Sequence, residues 1–267
     1  MEQVVTGVVK TPEFAMEYLQ FGRGPGKLVI LPGVSVQSVV QSAQAIAEAY
    51  QPLAEAFTVT LLERRQQVPE RYPIREMARD TVAALDALGL DKVCLFGVSQ
   101  GSMIAMEIAV RYPERVEKLA LGSACACVPG NADGVLGRWM ELARAGQAEE
   151  LFLAFGEAVY PPAVFEQAKE SLGQAAKTAT REEMARFLVL LEGMKDFSLL
   201  EELGKIACPV LLLASEDDGV LGPEAARQIV ERLEGREDFA WHLYRGYGHA
   251  AYDLAPDYKQ RLLAFLA

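Results

Sequence analysis

Residues 92–113 read KVCLFGVSQGSMIAMEIAVRYP: a short apolar run, a five-residue turn, then a longer apolar run. The run at 92–98 is continuous rather than alternating, the pattern of a strand buried on both faces, because neither side of such a strand meets water. The stretch after it sets Gly101, Ala105 and Ala109 among Met103, Ile104, Met106 and Ile108, which predicts a helix buried nearly all round. Between the two lies Gly97-Val98-Ser99-Gln100-Gly101. In a shuffled chain with 22 glycines this G-x-S-x-G spacing would arise about 0.06 times, so the bare match has modest weight and its context supplies the rest. A serine on a sharp strand-to-helix turn needs small neighbours so that the backbone can fold back. Its hydroxyl then stands above the sheet, facing the partial positive charge of the helix N-terminus. A Gly-rich turn without chemistry is the plainer reading of these five residues taken alone.

Working outward, similar apolar runs occur at 27–31 (KLVIL), 57–62 (FTVTLL), 116–122 (VEKLALG) and 209–214 (PVLLLA). Helical spacing separates them, in Val36, Val39, Val40, Ala43, Ala47 and Tyr50, and again in Ile74, Met77, Ala78, Leu85 and Leu88. Strand-helix alternation predicts the α/β class, a mostly parallel central sheet flanked by helices. At the N-terminus VVTGVV and FAMEYLQFG flank TPE, which predicts a β-hairpin leading to the first central strand. Residues 128–195 break the rhythm: RWMELARA, AEELFLAFGEAVY, PAVFEQAKESLG and a capping box, Thr180 to Glu183, are helical patterns with no strand between them. They predict a helical insertion at 128–195 in a core made of 1–127 and 196–267. The apolar residues Leu151, Phe152, Phe155, Phe165, Phe187 and Leu188 suit the buried stripes of those helices better than ligand contacts.

Composition narrows the function. The net charge of −11 argues against a nucleic-acid partner, since phosphate binding needs clustered Lys and Arg. No apolar run reaches the ~18 residues of a membrane span, and MEQVVTGVV carries no basic segment before an apolar one, so neither a membrane nor export is expected. Cysteines 94, 125, 127 and 208 lie in apolar stretches without paired zinc spacing, which suits reduced thiols in a cytoplasmic protein and no metal.

A serine hydroxyl is a poor nucleophile at neutral pH, so Ser99 would require a base and an acid to orient it. The chain has two histidines. His242 sits in DFAWHLYRG, a predicted strand, whereas His249 follows Gly248 in the loop beyond, where catalytic groups belong. Glu216, Asp217 and Asp218 directly follow the run at 209–214 and compete for the acid; a solvated acidic turn accounts for at least two of them.

These residues together resemble the α/β-hydrolase family with a helical cap, over essentially the whole chain. The order Ser99, acid, His249 is the family's order. The resemblance places the acid at Asp218, counted from Ser215, with Asp217 the runner-up. It places the oxyanion donors at the backbone N–H groups of Val34 and Gln100. Two departures stand out. Pro32-Gly33 replaces the usual His-Gly, and Glu63-Arg64-Arg65-Gln66-Gln67 replaces a glycine-containing Asp-x-Arg-Gly loop. The resemblance implies a serine hydrolase that needs no cofactor and cleaves an ester or a related bond through an acyl-enzyme, and the apolar residues of the cap suggest a small or medium hydrophobic acyl compound as substrate. Thioesterase, acyltransferase, carbon-carbon bond hydrolase and perhydrolase activities use the same three residues. A non-catalytic ligand receptor on this scaffold is the alternative from another class.

Overall fold

The computed structural model describes residues 4–128 and 134–267. Eight strands form one sheet: β1 (Val5–Lys10), β2 (Ala15–Phe21), β3 (Gly26–Leu31), β4 (Phe57–Arg65), β5 (Val93–Val98), β6 (Val116–Gly122), β7 (Val210–Ser215) and β8 (Phe239–Tyr244). Their spatial order is β1-β2-β4-β3-β5-β6-β7-β8. β1 and β2 pair antiparallel as the predicted hairpin, β2 pairs antiparallel with β4, and every other pairing is parallel. Every residue of β5 and β7 is buried, as continuous apolar runs require.

Helices cover both faces. On one side α2 (Ile74–Ala87), α3 (Gln100–Arg111) and α8 (Pro223–Leu233) bury Met77, Met103 and Ile229 against Leu95, Leu119 and Leu212. On the other side α1 (Ala43–Ala49) and α10 (Tyr258–Leu266), the latter after the short α9 (Ala251–Leu254), bury Ala47, Tyr258 and Leu262 against Phe96, Ala120 and Leu213. β4 lies on one side of β3 and β5 on the other, so the order reverses at β3. The carboxyl ends of β3 and β5 therefore form the crevice where open α/β sheets hold their ligands.

Between β6 and β7 come α4 (Val135–Ala145), α5 (Ala148–Val159), α6 (Pro162–Ala176) and α7 (Arg181–Glu192), and none of the described residues there joins the sheet. Residues 129–133, the first part of the expected insertion, lie outside the described residues. The capping box at α7 forms: the Glu183 N–H donates to Thr180 Oγ1 at 3.1 Å, and the Thr180 N–H donates to Glu183 Oε2 at 2.8 Å. Leu151 and Phe187 are fully buried. Phe152 and Phe155, expected only to pack, are partly buried and line a cavity of about 220 Å³ with Ser35 and Gln41. No helix among the described residues is long and apolar enough to cross a membrane.

Two element boundaries differ from the sequence reading. The helix after β3 begins at Ala43 instead of near Val36, because the Ser38 hydroxyl accepts from the Val40 N–H and starts a separate 3₁₀ turn over 39–42. β4 continues past Leu62 to Arg65, paired with the hairpin at Met16 beyond a bulge. The stretch read as a loop is therefore strand through Arg65, and Glu63 and Arg64 are buried in it. Apolar content marks where a strand is covered by hydrophobic neighbours; it does not mark where backbone pairing stops.

Candidate active site

Ser99 lies between β5 and α3 with φ 52° and ψ −120°, left-handed for a residue with a Cβ. Such a backbone costs on the order of 1–3 kcal/mol and persists only where the surroundings force it. They do so here: a Cβ at Gly97 would run into the Gly101 carbonyl, and one at Gly101 would run into the Leu31 carbonyl. Only glycines let β3, β5 and α3 approach this closely. The turn is pinned further as the Ser99 N–H donates to Gly122 O at 2.9 Å and the Ser102 hydroxyl donates to Ser99 O at 2.6 Å.

The three competing acids separate cleanly. Asp218 accepts from the His249 ring, whose Nδ1 lies 2.9 Å from Oδ1 and 2.8 Å from Oδ2. Its Oδ1 also accepts from the Val220 and Leu221 N–H groups, at 2.9 Å each. Burial pushes the Asp218 carboxyl up, but the imidazole and the two N–H donors outweigh it and hold it below the ordinary value. Asp217 instead caps the histidine's loop, accepting from Gly246 N–H at 3.1 Å and Gly248 N–H at 3.0 Å. Glu216 pairs with Arg245 at the surface. His242 stays in β8, where it packs edge-on against Tyr244.

Ser99 and His249 are tied to consecutive residues at the end of β6. Gly122 accepts the Ser99 N–H, and the Ser123 hydroxyl donates to His249 O at 2.7 Å. Ser99, Asp218 and His249 are all at most 9% exposed. With Nδ1 on the carboxylate, the His249 ring keeps Nε2 for another partner.

Val34 and Gln100 follow the ends of β3 and β5. A Cβ at Gly33 would lie 3.9 Å from Ser99 Oγ, so the β3 loop runs against the serine. Neither the Val34 nor the Gln100 backbone N–H has a backbone acceptor among the described residues. The Gln100 side chain crosses to the inserted helices and donates to Leu190 O of α7 at 2.8 Å, satisfying one of the last carbonyls of that helix. The end of α5 presses on the same region: Ala158 O would lie 2.6 Å from a Cβ at Gly219, and Val159 O 2.9 Å from one at Gly248.

Three contributors escaped the sequence reading. Arg64 is 4% exposed, and its guanidinium donates to Pro32 O at 2.8 Å and Gly33 O at 2.6 Å. Arg186 of α7 donates to the Arg64 and Arg65 carbonyls. Burial lowers the Arg64 pKa and adjacent Glu63 opposes that shift, and the group stays cationic. Ser123, which lacks the elbow context, has φ 45° and holds the histidine's loop. The one visible signal for Arg64 was a run of charge directly after a buried strand. Among the described residues no three His, Cys, Asp or Glu side chains gather into a metal site.

A family model described as alpha/beta hydrolase fold matches residues 51–256. A protein of Azorhizobium caulinodans provisionally named carbamate hydrolase RutD is 30% identical over 206 residues, 72% of each chain. The 2-hydroxy-6-oxononadienedioate/2-hydroxy-6-oxononatrienedioate hydrolase of Klebsiella pneumoniae is 27% identical over 205 residues, 71% of this chain and 67% of its own. Among solved structures, an alpha/beta hydrolase enzyme from a Medee basin deep-sea metagenome, MGS-M2, superposes with a TM-score of 0.85 at 18% identity, covering 97% of this chain and 96% of its own.

Proposed function

The chain belongs to the alpha/beta hydrolase fold family, and from that premise we propose that it is a serine hydrolase acting on a carboxylic ester or related acyl compound. The observation that carries the reading is the buried His249–Asp218 pair, at 2.8 Å, tethered through Gly122 and Ser123 to the serine on the strained turn. In this reading Ser99 Oγ attacks the carbonyl carbon as His249 Nε2 takes its proton. Asp218 holds the tautomer and stabilises the imidazolium. The charge that develops on the carbonyl oxygen is met by the Val34 and Gln100 N–H groups. His249 then gives its proton to the leaving group, leaving an acyl-Ser99. Water, activated by the same imidazole, attacks this acyl group and releases the acid.

The inserted helices, 128–195, act as a cap in this scheme, since α5 crowds the Gly219 and Gly248 loops and α7 accepts the Gln100 side chain. A cavity lined by Phe152, Phe155 and Leu172 beside Ser35, next in sequence to Val34 but with none of Ser99, Asp218 and His249 in its lining, offers apolar surface for part of a small acyl compound. The relatives' names add carbamates and 2-hydroxy-6-oxo dienedioates to the compounds worth testing, each with a carbonyl that a serine can attack.

The test is labelling by a fluorophosphonate and turnover of p-nitrophenyl esters of graded length. Both reactions are expected in the native protein, and both are expected to vanish in Ser99→Ala. Folded protein that binds acyl ligands without Ser99 labelling between pH 6 and 9 would make it a receptor.

A further inference from the structure

An arginine is rarely buried unless its five N–H groups find acceptors and its charge finds a partner. For Arg64, Glu63 supplies the charge partner and both terminal nitrogens find acceptors, while the buried Nε has none. Glu63 Oε1 lies 3.3 Å from its Nη1, and Arg186 reaches the other oxygen of Glu63 at 3.7 Å. Its fork closes on two successive carbonyls, Pro32 O and Gly33 O. Those two are the peptide units immediately before Val34.

Planarity decides what that grip does. The described residues include no cis peptide bond, and in a trans peptide the C=O and N–H point in opposite directions. Turning Gly33 O towards Arg64 therefore turns the Val34 N–H the other way. Arg64 lies next to the last residue of β4 and Ser99 follows β5, with β3 between them, so the other way is the Ser99 side. The hydrogen bond from a cation also polarises the peptide, which makes its N–H a better donor. Pro32 has no N–H with which to anchor the loop, so the hydrogen bonds that hold it at this point come from Arg64.

We propose that Arg64 is a positioning residue for the oxyanion site: it orients and polarises the Gly33–Val34 peptide so that the Val34 N–H meets the charge developing on the substrate. The inference rests on the Ser99 hydrolase reading. Lysine, a single point charge, cannot span both carbonyls. Arg64→Lys therefore falls between the native protein and Arg64→Met.

The experiment compares native protein, Arg64→Lys and Arg64→Met in ester turnover. It also measures binding of a trifluoromethyl ketone, which adds Ser99 to form an oxyanion, and of the matching methyl ketone, which resembles unreacted substrate. Thermal melts identify which variants are folded. Loss of an oxyanion donor costs roughly 10²- to 10³-fold in kcat, so loss of its positioner should cost about 10- to 100-fold in Arg64→Met. KM and methyl ketone binding should stay within about twofold, while trifluoromethyl ketone affinity falls with kcat. If Arg64→Met does not fold, Arg64→Lys decides by the same split, with a smaller drop in kcat. Unchanged kcat in a folded variant, or equal losses for the two ketones, would overturn the proposal. Native protein that neither labels nor turns over would instead overturn the Ser99 reading beneath it.

Discussion

The ends of β5 and β4 face the same crevice from either side of β3, yet they are built by opposite means. At the end of β5 the constraint is steric and local. Gly97 and Gly101 admit neighbouring backbone where no Cβ fits, and Ser99 between them is forced to φ 52°. At the end of β4 the constraint is polar and remote. Arg64 takes its acceptors from Pro32 and Gly33, and the strand end is closed by Arg186 from an inserted helix. Both ends bear on the proposed oxyanion site. A steric constraint shows itself in the flanking glycines, within five letters of sequence, even though the carbonyl that fills the space at Gly101 comes from Leu31, whereas a polar one leaves only half of a pair at each place.

The largest test of this contrast is at the local end. Ser99→Ala should lower ester turnover by about 10⁴- to 10⁶-fold, and His249→Ala by a similar factor, as for members of a unit that fail together. His242→Ala should leave most activity, since that ring packs on Tyr244 in β8. Steady-state rates with an activated ester decide. Turnover in Ser99→Ala above one per cent of native would place the chemistry elsewhere and remove the reason for the strained turn.

Next come the acids. Asp218→Asn should cost roughly 10⁴-fold, because an amide cannot hold the imidazole in the same tautomer. Asp217→Asn should cost far less, loosening only the Gly246 and Gly248 N–H bonds, and Glu216→Gln should be neutral. Asp218 also predicts a pH effect. Its folded pKa is depressed below the ordinary 3.8, so the stability it contributes is complete above that value and lost as pH falls through the depressed one. Unfolding free energy should therefore fall less steeply between pH 5 and 2 in Asp218→Asn, by up to about one proton's worth of slope, as urea titrations would read.

Stability separates the glycines. Gly101→Ala forces a Cβ onto the Leu31 carbonyl and should destabilise by about 1–3 kcal/mol or more. Gly173, inside α6 with nothing within 4 Å of a Cβ, is the control: its change to Ala should stabilise by up to about 1 kcal/mol. Equal melting shifts for the two would show that the crevice does not need its glycine.

These contrasts explain what the residue pattern revealed. The sheet was legible because β5 and β7 are continuous apolar runs and β3 and β6 become so after their first residues, and Ser99 because its glycines flank it. His249 was legible by scarcity and by its loop. Asp218 needed the resemblance, since nothing in Glu216-Asp217-Asp218 says which carboxylate turns inward. The length of β4 was missed because pairing with β2 carries charged residues into the sheet. Arg64 and Ser123 were missed because each is defined by its distant acceptor: Pro32 and Gly33 for one, His249 for the other.

Ser123 gives the smallest and most discriminating effect, because strain and tether coincide in it. Its φ of 45° resembles that of Ser99, and its hydroxyl donates to His249 O at 2.7 Å. Ser123→Ala removes the hydroxyl and keeps the strained Cβ, whereas Ser123→Gly removes both. Losing a net hydrogen bond costs about 0.5–1.5 kcal/mol in each variant, and glycine recovers about 1 kcal/mol by relieving the left-handed backbone. Ser123→Gly should thus be near native in stability and Ser123→Ala less stable by about 1 kcal/mol. If the tether aligns His249, turnover should fall in both variants by a similar factor of about three to ten despite the difference in stability, since each kcal/mol of misalignment is worth about fivefold. If activity instead followed stability, with Ser123→Gly fully active, the long-range bond would be dispensable. The loop would then be held by Asp217 and the short-range turn alone, and the line between locally and remotely built ends would have to be redrawn to leave His249 on the local side.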